Sequence, residues 1–234
     1  MQLQKYNIPF LRQHSTFIFD KFRGKKKSAE QLFSDIYVTN RWNSKESRSG
    51  KGSELVITRI LRRELPILLK ELNVKTMLDV PCGDFNWLKE VDISFLEKYI
   101  GADIVSELIE ANRELYRNEF SNIEFEKIDV VVDTLPETDM ILCRDLFIRL
   151  SFEDIDKALD NIRKSNSKYV LATSFPSIGE NIDIETGKHH PVNLLLPPFS
   201  FPEPMRSIKE FAQNPNLSKI LGLWMINDIP KERS

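Results

Sequence analysis

Cysteine and histidine are scarce in this chain, glycine is sparse, and no long apolar run interrupts it. Its 234 residues include 2 cysteines, 3 histidines and 8 glycines. Two cysteines cannot build a multi-bridge disulfide framework. Cys82 and Cys143 lie in apolar, strand-like contexts and are expected to be reduced and buried. No cysteines and histidines fall at metal-ligand spacing, so no metal is expected. No apolar stretch approaches the ~20 residues needed to cross a bilayer. The opening MQLQKYNIPFLRQ lacks the charged start and apolar core of a secretion signal. These absences lead to the expectation of a cytoplasmic protein without membrane insertion. Charge of one sign is missing too: the formal net charge is −2, which gives no pull toward nucleic acid or acidic membranes. Only Lys21–Lys27 (KFRGKKK) is locally basic, and it reads as a solvated loop.

What is present is ordinary for a globular protein, with 41% hydrophobic and 29% charged residues. The length suits one large α/β domain with an N-terminal segment. Residues 1–40 carry aromatics without a clean period (Phe10, Phe17, Phe19, Phe22, Phe33, Tyr37), which suggests short helical pieces over a larger domain. A polar run from Trp42 to Ser53 follows; its serines and glycines predict a flexible loop with available N–H groups. The boundary is set there, with a helical segment and loop at 1–52 and the main domain at 53–234. Ser53 is a candidate cap for the next helix, because Leu55, Val56, Ile60, Leu61, Leu65, Leu68 and Leu69 follow at helical spacing.

Beyond Val74 short apolar runs alternate with helical segments. Strands are predicted at 76–80, 99–102, 123–127, 140–143, 169–173 and 221–226, and helices at about 85–97, 106–119 and 151–165. Such alternation implies βαβ units and a parallel sheet with right-handed crossovers. Residues 176–206 break the rhythm with many prolines and the pair His189–His190, as a functional loop insertion would.

The strongest local signal is Asp79-Val80-Pro81-Cys82-Gly83-Asp84, where an apolar strand ends in an acid and turns tightly at a glycine. Gly83 lets a ligand approach the backbone, and ligands of open α/β sheets bind at the strands' carboxyl ends. Twenty residues beyond Gly83 a second strand ends in Asp103, where a carboxylate can accept hydrogen bonds from ribose hydroxyls. A dinucleotide site would use several glycines to hold a pyrophosphate. Here one glycine is flanked by Asp79 and Asp84, which repel a pyrophosphate but attract an ammonium group. The pattern fits S-adenosylmethionine (SAM), with S-adenosylhomocysteine as product, and fits a nicotinamide dinucleotide badly. Asp129 and Val130 follow the third strand and are candidates for the adenine edge. Pro81, Cys82, Trp87, Ile104 and Arg144 complete the candidate cofactor wall.

Taken together, the stretches MLDVPCGDFNWL, CRDLFIRLSFEDIDKALDNI, SKYVLATSF, NIDIETG and PVNLLLPPFSFPEP resemble a family of bacterial class I SAM-dependent methyltransferases associated with capsule and surface-glycan gene clusters. The resemblance spans roughly residues 33 to 224. It implies a Rossmann-like, doubly wound, mostly parallel seven-stranded sheet with an N-terminal helical extension. It implies O-methylation of a small glycan-precursor acceptor, with no nucleic-acid partner. It also implies that the Trp42–Ser53 loop closes over the cofactor, with Trp42 and Arg48 in contact. One departure stands out: where the family is expected to carry a histidine as base, this chain has Arg149.

For a hydroxyl acceptor the enzyme must align the reactants and remove a proton. Asp145, at the end of the fourth strand, can orient or deprotonate an acceptor, or simply pair with Arg144. His189 and His190 are candidate bases. Arg149 offers a fixed positive charge, which suits an acceptor bearing a phosphate or phosphoramidate group. Asn193 and Phe199 are further wall candidates, with core packing the blander reading for Phe199. Two other functions compete. A catalytically silent, SAM-binding partner subunit is compatible with the missing histidine. A nucleic-acid methyltransferase is disfavoured by the charge and by CRDLF after the fourth strand.

Overall fold

The computed structural model describes residues 27–116, 119, 121–212 and 214–231. The aromatics expected to pack from Phe10, Phe17, Phe19 and Phe22, and most of the basic run, lie outside the described residues. Helix α1 (Ala29–Val38) opens with a capping box, in which Ser28 accepts from the Gln31 N–H and Gln31 returns a bond to the Ser28 N–H. Helix α2 (Arg59–Glu71) buries Leu61, Leu65, Leu68 and Leu69, the stripe that its heptad-like spacing predicts. Its start differs from expectation. Thr58 is the cap residue, and Ser53 lies in a preceding 3-10 turn (Lys51–Ser53), where it makes no cap.

The remaining elements are β1 (Thr76–Asp79), β2 (Lys98–Asp103), α3 (Ser106–Tyr116), β3 (Ile123–Lys127), β4 (Met140–Cys143), α4 (Phe152–Lys164), β5 (Tyr169–Ser174), β6 (Arg206–Glu210) and β7 (Lys219–Met225). They form a seven-stranded sheet in the order β3-β2-β1-β4-β5-β7-β6. Its first five strands run parallel, while β7 is antiparallel to both β5 and β6. The order reverses between β1 and β4, so a crevice opens at their carboxyl ends. Apolar clusters cover the sheet on both faces, one built with α4 and the 192–201 segment, the other with α2, α3 and the chain after β1. This explains why β1, β4 and β5 read as continuous apolar runs. Both cysteines are free and buried.

Two expectations fail for identifiable reasons. The segment predicted as helix 85–97 holds only a 3-10 turn, Leu88–Glu90. Phe85 takes φ 55°, outside the helical region, and Phe85, Trp87, Leu88, Val91, Ile93 and Leu96 are all buried. Side chains anchored at that density and irregular spacing plug a core rather than form one helical face. Strand β6 goes unpredicted because Ile208 is the one buried apolar residue of its RSIKE; it is a charged edge strand without a hydrophobic signature. Helix α4 follows the local rules closely: Ser151 caps the Asp154 N–H at 3.2 Å, acids occupy its first turn and Arg163 and Lys164 its last. No helix among the described residues is long and apolar enough to cross a membrane.

Candidate active site

A cavity of about 820 Å³ lies over the carboxyl ends of β1, β2 and β4, within the size range of small-molecule sites. One end is built by the tips of β1 and β2. Asp79 ends β1 and is 2% exposed; its carboxylate accepts from the Tyr99 hydroxyl at 2.7 Å. Burial pushes its pKa up to about 7, against the Tyr99 hydrogen bond and the Arg144 charge. Asp103 ends β2 and accepts from the Gly83 N–H at 3.2 Å and the Val105 N–H at 3.0 Å. Burial raises it to about 6, opposed by those backbone donors. Two carboxylates therefore sit on adjoining strand tips with little solvent, and a cation placed between them would draw both toward ionisation.

The wall continues through Pro81, Cys82, Gly83, Trp87, Ile104, Asp129, Val130 and Arg144, all of which line the cavity. Asp129 spends one oxygen on the Val131 N–H at 2.9 Å. The sequence reading missed a contribution from α1. Ala29, Phe33 and Tyr37, spaced four residues apart on one helical face, also line the cavity. Nothing local to the α1 sequence marks them, because α1 reaches the site only by docking on α3 and β3, through Ser34–Glu107 (3.2 Å) and Lys127–Glu30 (2.6 Å).

Asp84 does not line the cavity; it anchors the loop above. Its carboxylate accepts from Ser47 Oγ at 2.8 Å, the Arg48 N–H at 2.6 Å and Ser49 Oγ at 3.0 Å, and its own N–H donates to Ser49 Oγ at 2.9 Å. The loop expected to be flexible, with free N–H groups, is instead fastened at several points. Glu46 accepts from the Leu55 N–H at 2.7 Å and from Asn86 at 2.8 Å, and Arg144 donates to the Gly52 carbonyl at 2.8 Å. Trp42, Asn43 and residues 48–53 thereby become part of the cavity wall. Arg48 reaches the cavity with no carboxylate in ion-pairing range among the described residues.

The other end is charged. Asp145, at φ 58°, hangs from the Thr173 hydroxyl by its N–H at 2.9 Å. Lys219 Nζ lies 2.8 and 2.9 Å from its two oxygens and 3.4 Å from Glu210. Arg144 joins Glu210 at 2.7 Å and approaches Asp145 at 3.6 Å. Burial disfavours ionisation of Asp145, but the Lys219 and Arg144 charges outweigh it and hold the carboxyl well below the usual range. Lys219 and Glu210 are functional candidates that the sequence reading overlooked. They sit at the ends of strands far along the chain, and only the sheet order brings them to Asp145.

Arg149 lines the cavity with its guanidinium 5.0 Å from the Trp42 ring centre. His189 lines it as well, its pKa lowered by burial and then by Arg149. His190 does not. It is buried with Nδ1 2.6 Å from the Ile182 carbonyl and Nε2 3.1 Å from that of Leu150, so its proposed role as a base is withdrawn. Asn193 and Phe199 are buried outside the cavity lining, where Asn193 braces Asn181 and Phe199 packs edge-on to Phe152. Core packing explains both.

No family model and no curated protein matches the chain in sequence. Solved structures match it in shape. The N-methyltransferase NodS from Bradyrhizobium japonicum WM9, in complex with S-adenosylhomocysteine, superposes with a TM-score of 0.57 at 10% identity, covering 85% of this chain and 98% of that one. Human N-acetylserotonin methyltransferase in complex with SAM gives 0.56 at 15% identity, covering 84% of this chain and 59% of that one. The fold is the Rossmann-like methyltransferase fold. Within this fold Asp79 and Gly83 lie at the β1 side of the topological switch point, and Asp103 lies on the adjoining strand tip.

Proposed function

We propose that this chain is a SAM-dependent methyltransferase acting on a small, sugar-related precursor of a bacterial surface polysaccharide that bears an anionic group such as a phosphate or phosphoramidate. The observation that carries the donor part is the pairing of Asp79 and Asp103, buried and raised in pKa, at one end of a large cavity. The residues present fit the donor. Asp103 would receive the ribose hydroxyls and Asp79 the ammonium group, while Arg48 supplies a charge for the carboxylate. Phe33, Ile104, Asp129 and Val130 would surround the base. When bound, the donor supplies an activated methyl group on sulfur. The protein's part is to align it and to exclude water under the Trp42–Ser53 loop.

The acceptor would occupy the Asp145–Arg149–His189 end. Support for an anionic acceptor is the Arg149 guanidinium, which faces the cavity without a carboxylate of its own among the described residues. The glycan context rests on the sequence resemblance. Support for an enzyme over a silent partner subunit is that the cavity extends past the cofactor residues into this charged end.

Two results are expected. Asp103→Asn should weaken SAM, S-adenosylhomocysteine and adenosine alike, by roughly tenfold to 150-fold, the range for losing a charged hydrogen bond of about 1.5–3 kcal/mol. Asp79→Asn should weaken the first two and spare adenosine, which has no ammonium. Calorimetric titration decides; wild-type protein that binds none of the three sinks the reading. SAM affinity should also depend on pH. The ammonium needs ionised Asp79, whose carboxyl titrates at about 7. Affinity should therefore fall about tenfold from pH 8 to pH 6, as the ionised fraction drops. Adenosine binding should change less across the same span, and equal slopes for the two ligands would remove Asp79 as the ammonium's partner.

A further inference from the structure

The acceptor end carries a surplus of positive charge. Arg144, Lys219 and Arg149 face two carboxylates, Asp145 and Glu210. Lys219 and Arg144 satisfy those two between them, at 2.7 to 3.6 Å. Arg149 is left over. Among the described residues the carboxylate that acts on it is Asp145, already claimed, and burial outweighs that attraction enough to lower the guanidinium's pKa. Lys157, elsewhere on the lining, is paired with Glu153 and Asp154. A half-buried guanidinium aimed into a cavity calls for an anion, and its planar fork suits the two oxygens of a carboxylate or phosphate.

The same end is poor in bases. Lys219 grips both oxygens of Asp145 and suppresses its affinity for a proton. His190 is committed to backbone carbonyls. His189 also lines the cavity, among Arg149, Asp145, His190 and Lys219; burial, and then the Arg149 charge, lower its pKa and make it a weaker proton holder. A hydroxyl acceptor would need a base near the reacting oxygen. Arg149, which lines the same space, is a cation and accepts no proton.

We propose that the atom methylated is an oxygen already bearing negative charge, a carboxylate or phosphate oxygen seated on Arg149, so that transfer requires no base. The proposal rests on the methyl-donor reading above and narrows its acceptor class. In the step, a lone pair of the oxyanion forms the O–CH₃ bond while the methyl–sulfur bond breaks, its electron pair passing to sulfur. The positive charge of the donor and the negative charge of the acceptor cancel. No proton is released. A hydroxyl acceptor would release one proton per turnover.

The test uses the full chain. Inorganic phosphate should raise the melting temperature of the S-adenosylhomocysteine complex. Arg149→Gln should weaken that response about tenfold or more, and Arg149→Lys should recover part of it. Unaltered binding of S-adenosylhomocysteine serves as the check that each variant is folded. Turnover is then followed with glucose 1-phosphate, glucuronate and glucose in weakly buffered solution at pH 8. Methylation of either anion with no proton released per S-adenosylhomocysteine formed supports the assignment. A base-labile methyl ester identifies a carboxylate acceptor and a base-stable one a phosphate. One proton per turnover, glucose accepted as well as the anions, or a phosphate response unchanged in Arg149→Gln overturns it. If none of the three sugars turns over, the phosphate response alone decides. Failure of wild-type protein to bind S-adenosylhomocysteine is a different result, and it overturns the donor reading first.

Discussion

Replacing Lys219 with Met is expected to lower the unfolding free energy by about 3–5 kcal/mol, the cost of removing one partner from a buried ion network. The side chains of Arg144, Lys219 and Glu210 are 4%, 6% and 1% exposed, so water cannot stand in for the missing ammonium. Asp145 and Glu210 would be left to share Arg144. Glu210 Oε2 already lacks a hydrogen bond and relies on Lys219 Nζ at 3.4 Å. Urea unfolding at constant m-value measures the loss. The deficit should shrink as pH falls, because Asp145, still disfavoured as a charge by burial and no longer held ionised by Lys219, takes up a proton more readily and ceases to be charged. Adding Asp145→Asn should return part of the stability, since Arg144 and Glu210 then pair one to one. A single-variant loss under about 1 kcal/mol, the range of a surface pair, would show that the network does not hold β4, β6 and β7 together.

Gly83→Ala should cost both stability and cofactor binding. The residue has φ 55°, where an L side chain is strained by about 1–2 kcal/mol. A Cβ built there would also lie 2.1 Å from Ser49 Oγ and 2.9 Å from Ser49 Cβ. Relieving that overlap means moving the loop, at a further cost of about 1–3 kcal/mol. The loop is tied to the same turn by Asp84, so the two cannot simply part. Faster proteolysis within residues 42–53, together with loss of SAM binding, is the expected signature. Adding Ser49→Gly should restore the part due to overlap and leave the backbone strain. If the single variant binds SAM normally, the loop does not depend on this contact.

The case of Gly83 shows how a correct local reading can have an incomplete cause. Its sequence context predicts a turn that a ligand can approach closely. The structure adds that the Trp42–Ser53 loop makes that approach first, through Ser49. Asp84 follows the same pattern: an acid beside the turn reads as a ligand contact, yet its carboxylate holds Ser47, Arg48 and Ser49. In both cases the partner lies more than thirty residues away, and no spacing rule reaches that far.

Local order decided much of this protein. The apolar runs of β1, β2, β4 and β5, the stripe of α2, the spans of α3 and α4 and the acids ending β1 and β2 are all legible residue by residue. Periodicity, capping and turn chemistry act over a few positions of chain. Tertiary structure alone decided the rest. It turned residues 85–97 into a core plug, paired a charged edge strand with β7, and buried His190 among carbonyls. It also carried Lys219 and Glu210 to Asp145 and left Arg149, among the described residues, without a counter-charge of its own. Those outcomes depend on which distant groups share a low-dielectric space, and the free energy of a charge is set by that company rather than by its neighbours in sequence.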